Sequence, residues 1–300
     1  MALRISTSQV TDSSVAGISA AYARLATAQQ QINSGKQLTK PSDNPVGFAQ
    51  SLDFTDQIAQ LDQYDKTLDQ AKGFISTGES ALSSVDSLLR AARTYAVQGA
   101  NDDATDATSR QAIAAQIQDT INQLGNIGNA TYGTQSVFAG QRTSGPALQG
   151  DGTTFKYVGG TDATGDADLK VDIGPGETIT TNVTGDKVFA PALAALAKLR
   201  DDVSSGKSQD VSQQDIAALD TQISAVVAHR ADFGAKLNRI DATQQRNALT
   251  KVNFTKFVSD IQDTDIPTAA VALQTAQTAY QAALQSTVRS FQTSLLDFLK

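Results

Sequence analysis

Apolar residues recur at a spacing of three and four along most of this chain. Val15, Ile18, Tyr22, Leu25 and Ile32 form one such stripe, with polar Gln29 at its vacant heptad position, and predict a first amphipathic helix. Ser34-Gly35 ends it. Pro41-Ser42-Asp43-Asn44-Pro45 then supplies a restart, with Asn44 as the N-cap and Pro45 at the first helical position. From Pro45 to Gln98 a second helix is marked by Leu61, Leu68, Ile75, Leu82, Leu89 and Ala96, one heptad apart, each of the first five followed three residues later by Tyr64, Ala71, Gly78, Val85 and Ala92. Gly73 and Gly78 each cost that helix about 1 kcal/mol relative to Ala, so they mark a close approach of another helix. After Gly99-Ala-Asn-Asp-Asp a shorter helix carries Ile113, Ile117, Ile121 and Leu124.

A further register runs through Ile216, Leu219, Ile223, Val226, Phe233, Leu237, Ile240, Phe254, Val258 and Ile261, with Arg230, Gln244, Asn247 and Lys251 as its polar exceptions. Beyond Ile266-Pro267 a last helix presents Tyr280, Leu284, Val288, Phe291, Leu295 and Phe298 on one side.

Between these helices the pattern changes. Thirteen of the 21 glycines lie from Gly125 to Gly185, and the intervening runs Thr153 to Val158, Leu169 to Ile173, Thr178 to Thr184 and Val188-Phe189 alternate as short strands. The expected fold is mainly α with a β-rich insertion. Residues 45–140 and 190–266 form a long antiparallel helical rod, 141–189 a β-rich inserted domain, and 1–44 with 267–300 a terminal amphipathic helical assembly domain. Continuous helices over 45–98 and 215–261 would be about 80 and 70 Å long, against a diameter of roughly 50 Å for a compact chain of this size. The expected rod core is Leu61, Leu68, Ile75, Leu82, Leu89, Ile223, Val226, Phe233, Leu237 and Ile240.

Composition narrows the function. A formal charge of -7 with no Lys/Arg cluster argues against nucleic acid and anionic membrane as partners. The absence of cysteine excludes disulfides and thiolate chemistry. No cleavable secretory signal is visible and no run of 18 apolar residues occurs, as expected either of a cytoplasmic protein or of one exported through uncleaved amphipathic termini.

Candidate chemistry is sparse. The single histidine, His229, stands beside Arg230 with no nucleophile near it in sequence, so a structural or solvated role is expected rather than a general base. Asp102-Asp103 with Asp106, Asp162 with Asp166 and Asp168, and Asp201-Asp202 lack EF-hand spacing and read as caps and solvated turns. Gly150-Asp151-Gly152 and Gly174-Pro175-Gly176 lack the context of a phosphate loop and read as turns. No catalytic, cofactor or metal residue is assigned. An acidic helical toxin would need an apolar hairpin, and a carboxylate hydrolase a pair of acids on facing strands; neither pattern occurs. The terminal stripes are another matter. An isolated helix of this length is marginal in water, so Val15, Ile18, Tyr22, Leu25, Ile32, Tyr280, Leu284, Phe291, Leu295 and Phe298 are expected to be buried between molecules as an assembly interface.

Five segments stand out in order along the chain: Ile32-Asn-Ser-Gly-Lys with Pro41-Ser-Asp-Asn-Pro-Val46, Asn126-Ile-Gly-Asn-Ala-Thr-Tyr-Gly followed by Val137-Phe-Ala-Gly140, Arg230-Ala-Asp-Phe-Gly-Ala-Lys-Leu-Asn-Arg-Ile240, Ser259-Asp-Ile-Gln-Asp-Thr-Asp265, and Ser294-Leu-Leu-Asp-Phe-Leu299. Together they resemble the flagellin superfamily and, within it, the hook-filament junction proteins. Asn44 stands where a second Asp is common in that family, and Phe233 where Leu is frequent. The resemblance implies a nonenzymatic flagellar subunit without cofactor, exported through the type III apparatus to the cell exterior. It also implies as partners further copies of itself, hook-associated protein 1, flagellin and an export chaperone. A filament flagellin is the alternative, which the paired Pro41 and Pro45 disfavour.

Overall fold

The computed structural model describes residues 7–101, 106–151, 153–160 and 167–298, without the side chains of 7, 8, 10, 11 and 290–298. Among these, the helices are α1 (Thr7–Ser34), α2 (Pro45–Gly99), α3 (Ala107–Gly128), α4 (Gly185–Ser204), the single turn α5 (Ser208–Asp210), α6 (Ile216–Gln262) and α7 (Ile266–Phe298). Six short strands lie between α3 and α4: β1 (Thr131–Tyr132), β2 (Gln135–Ser136), β3 (Leu148–Gly150), β4 (Phe155–Tyr157), β5 (Lys170–Gly174) and β6 (Glu177–Thr180). They pair as three antiparallel hairpins. The fold is thus mainly α with a small β region in the middle.

Local chemistry explains the boundaries. Gly35, at φ 68°, ends α1 in a conformation that a side chain would resist. Asn44 Oδ1 accepts the Gly47 N–H at 3.0 Å, the cap expected before Pro45. Asp106 caps α3 by accepting the Ser109 N–H at 2.7 Å. The Gly174-Pro175-Gly176 segment turns β5 into β6, with Gly176 at φ 72°.

The chain divides into two compact units, one of residues 1–60 and 250–300, the other of 61–249. In the second unit the core gathers the α2 residues Leu68, Ile75, Leu82 and Leu89, the α6 residues Ile223, Val226, Phe233 and Ile240, the α3 residues Ile113, Ile117, Ile121 and Leu124, and Phe138, Ile173, Ile179, Phe189 and Leu196 from the central segment and α4. Leu61 and Leu237 are half-buried. Strand residues and helix residues therefore share one core.

The polar exceptions on α6 acquire a role here. Arg230 reaches Glu79 at 2.9 Å and Asp86 at 3.5 Å on α2, Gln244 donates to Asp69 at 2.7 Å, and Asn247 donates to Asp65 at 3.0 Å. Lys72 with Asp241 and Arg93 with Asp220, both at 2.6 Å, extend this ladder. Partner numbers rise on α2 as they fall on α6, so within this unit the two helices run antiparallel, with their register set by charge beside the apolar seam.

Val188-Phe189 departs from the expected strand. Both residues lie in α4, where Val188, Phe189, Ala192, Leu193, Leu196 and Leu199 are all buried. Pro191 sits inside that helix instead of preceding it. Near a helix start its missing N–H removes one bond, which burial of that face outweighs. The strand predicted from Thr178 to Thr184 stops at Thr180. Beyond it, Asn182 caps the neighbouring chain by accepting from the Leu169 N–H at 2.7 Å and donating to the Ala167 carbonyl at 2.8 Å.

Candidate assembly surface

The unit formed by 1–60 and 250–300 is built from α1, the first turns of α2, the last turns of α6, and α7. The break between α1 and α2 is clasped to the break between α6 and α7. Gln37 N–H donates to the Gln262 carbonyl at 2.7 Å, Thr264 N–H donates to the Gly35 carbonyl at 2.9 Å, and Gln37 Nε2 reaches the Ile261 carbonyl at 3.0 Å. Gln262 Nε2 donates to the hydroxyl of buried Ser51 at 2.7 Å. Asp43 accepts the backbone N–H groups of Thr39 and Lys40, which hold its carboxyl below the usual range. These bonds satisfy backbone groups that two helix breaks would otherwise leave open.

From this clasp α1 and α7 run antiparallel, with the Tyr22 and Tyr280 rings 5.8 Å apart and Ala28 and Ala269 buried. Beside them Phe54 of α2 packs between Phe254 and Phe257 of α6, at 5.5 and 5.3 Å.

Packing of these helices on one another leaves much of their apolar surface uncovered. Val15 is 54% exposed and Tyr22 59%, while Ile18, Leu25, Ile32 and Tyr280 are half-buried and Leu284 is exposed. Phe291, Leu295 and Phe298 have side chains outside the described residues. The structure adds exposed apolar residues that the periodicity had not singled out: Val46, Leu52, Val252, Phe257, Ile266 and Val271. Val46 and Leu52 precede the heptad seam of α2, so no repeat drew attention to them; Phe257 and Val252 flank the α6 register. Among the described residues, most of the exposed large apolar side chains belong to this unit. Each large side chain of this kind, once covered, contributes about 1.5–3 kcal/mol to an association.

The histidine and, among the described residues, the acidic groups singled out in the sequence lie elsewhere. His229 lines an open cavity in the other unit with Lys187, Asp232 and Lys236, and its burial pushes its pKa down. Asp202 pairs with Lys198 at 2.7 Å and Lys207 at 3.0 Å, and Asp201 with Arg200 at 2.7 Å. Asp151 caps its turn by accepting the Thr153 and Thr154 N–H groups. Asp102, Asp103, Asp162 and Asp166 lie outside the described residues. Among the described residues no helix is long and apolar enough to cross a membrane.

Comparison with known proteins fits this architecture. The bacterial flagellin N-terminal helical region matches residues 5–143 and the bacterial flagellin C-terminal helical region matches 216–299. The chain is 27% identical to flagellar hook-associated protein 3 of Escherichia coli, over 95% of this chain and 96% of that one. It is 26% identical to flagellin of Bacillus subtilis, over 79% of each. A solved flagellar hook-associated protein structure from Vibrio parahaemolyticus superposes with a TM-score of 0.66 at 20% identity, covering 74% of this chain and all of the other. The flagellar junction protein of Legionella pneumophila does so at 0.59 and 12%, covering 71% and 100%. With both helical regions of flagellin matched and the helices they describe present on either side of the β hairpins, the chain belongs to the bacterial flagellin superfamily.

Proposed function

We propose that this chain is a structural subunit of the bacterial flagellum, placed as an adaptor between hook-associated protein 1 and the flagellin filament. The observation that carries the reading is the exposed apolar surface of α1 and α7 in the unit of 1–60 and 250–300, in a chain alignable nearly end to end with hook-associated protein 3. The proposed interface is Val15, Ile18, Tyr22, Leu25, Ile32, Tyr280, Leu284, Phe291, Leu295 and Phe298, covered by neighbouring subunits in a ring or helical layer. Ordering a helix costs about 1–2 kcal/mol per residue in backbone entropy, so a few contacts with one neighbour do not suffice and assembly is cooperative. The subunit acts outside the cell, is exported without a cleaved signal, and is held before export by a chaperone. Its work is mechanical and not catalytic.

A filament flagellin is the second reading, favoured by the similarity to the Bacillus subtilis protein. Deleting the gene separates the two. A junction adaptor leaves hooks on the cell and monomeric flagellin in the medium, with filaments restored when the chain is supplied. Loss of flagellin itself from the medium supports the second reading, and normal filaments in the deletion strain refute both.

A further inference from the structure

Two glycines weaken α2, and each faces an aromatic ring. Gly78 meets Phe233 in the core, whereas Gly73 seats Tyr132, whose hydroxyl oxygen would lie 2.5 Å from a β-carbon built at position 73. Tyr132 is at the turn of the β1–β2 hairpin, followed by Gly133 at φ 60°, and is 38% exposed with its ring edge-on to buried Phe74 at 6.4 Å and 79°. A mid-helix glycine thus holds a partly exposed aromatic ring in one place.

That ring lines a cavity of about 670 Å³ within the unit of 61–249. The volume is in the range of small-molecule sites. Its polar lining includes the amides of Gln70, Gln135 and Gln141 and the hydroxyl of Thr143, with Lys170 as the single charged side chain and no carboxylate. In a chain with 31 acidic residues this is a distinctive composition. The cavity beside His229, by contrast, is lined by Lys187, Lys236, Arg239, Asp168 and Asp232. Gln141 donates to the Asp168 carbonyl at 2.7 Å, which leaves its Oε1 to accept.

We propose that this cavity binds an uncharged saccharide. Amides and hydroxyls donate and accept together, as vicinal sugar hydroxyls require, and the Tyr132 face offers an apolar surface to the C–H side of a pyranose ring, which buries area with little side-chain entropy lost. With Lys170 as its one charged side chain, the lining offers a phosphate or polycarboxylate a single cation against the hydration it would give up, whereas a neutral sugar gives up far less.

The test uses the full chain and three neutral disaccharides, cellobiose, lactose and N,N′-diacetylchitobiose, with sialyllactose as a charged control. Each is titrated while saturation-transfer NMR is read, both free and displayed on a carrier protein, which separates a soluble polysaccharide from a protein-linked glycan as the source. Saturable binding of at least one neutral sugar is expected, weakened at least fivefold by Gln70→Ala with Gln135→Ala, two exposed side chains whose loss leaves the melting transition in place, and by Tyr132→Ala but not Tyr132→Phe. Absence of saturable binding to every neutral sugar in both forms overturns the proposal. So does binding that the glutamine pair leaves unchanged, or that is stronger for sialyllactose than for lactose.

Discussion

Gly78 of α2 lies directly under the Phe233 ring of α6: a β-carbon at position 78 would stand 2.7 Å from Phe233 Cε2. The residue that weakens one helix makes room for the bulk carried by the other. Gly78→Ala should therefore destabilise the unit by about 1–3 kcal/mol through overpacking, against a helix-propensity gain of about 1 kcal/mol. In the background of Phe233→Leu the same change should become neutral or stabilising. Urea unfolding of the four variants measures the coupling, and additive effects would show that the two residues do not share space.

Leu82 is fully buried and Leu237 half-buried. Truncation to Ala should cost about 2–5 kcal/mol at Leu82 and clearly less at Leu237. Thermal melts compare them, and an unchanged transition for Leu82→Ala would contradict its place in the core.

The cluster formed by exposed Lys198 with buried Asp202 and Asp215 gives a pH dependence of defined sign. Lys198 Nζ bridges Asp202 at 2.7 Å and Asp215 at 2.6 Å. Hydrogen bonds from Lys198 and Lys207 hold the Asp202 carboxyl below its usual value, so its stabilisation is present above the ordinary carboxylate range and is lost as pH falls through the lowered folded value. Burial pushes Asp215 up, so its contribution is present below the ordinary carboxylate range and is lost as pH rises through the raised folded value. The two oppose each other on acidification. The stability lost between pH 7 and pH 3 should be larger than wild type in Asp215→Asn and smaller in Asp202→Asn, read from urea midpoints at each pH. The reverse order would mean that the assigned causes are exchanged.

Lys198 is the shared partner of both acids, and its own pKa is raised by Asp202 first and then Asp215. Its stabilisation is present below the ordinary lysine range and lost only as pH rises through the still higher folded value. Lys198→Met leaves the Asp215 carboxylate buried without its cation and should cost about 1–3 kcal/mol at pH 7. Adding Asp215→Asn should recover part of this loss, and calorimetry of the single and double variants checks it.

Leu284 and Val288 are exposed on α7, away from the clasp at Gly35 and Thr264. Leu284→Asp with Val288→Asp should abolish filament growth while the melting of the 61–249 unit is unchanged. Motility together with a circular dichroism melt decides it, and a double variant that swims normally removes this face from the proposed interface.

The extents of α1, α2, α6 and α7, though not of α4, were legible in the chain itself because they rest on local physics. Ser34-Gly35, Asn44-Pro45, Gly99 and Ile266 mark ends or starts that need no distant partner, and the heptads of α2 and α6 announce buried faces wherever those faces go. The terminal stripes were legible as apolar periodicity, and the structure packs α1 against α7 while leaving Val15, Tyr22 and Leu284 exposed; Val46, Leu52 and Val271 were not legible, since single exposed apolar residues carry no period. What tertiary structure alone decided was pairing. Arg230, Gln244 and Asn247 read as flaws in a register until Glu79, Asp69 and Asp65 stood opposite them on α2. Val188-Phe189 read as a strand because a three-residue window before Pro191 cannot show whether the apolar face continues, and only the core that receives Ala192, Leu196 and Leu199 makes it a helix. Local propensity costs a few tenths of a kcal/mol per residue, whereas burying one such side chain contributes about 1.5–3 kcal/mol, so where the two conflict the distant partner decides.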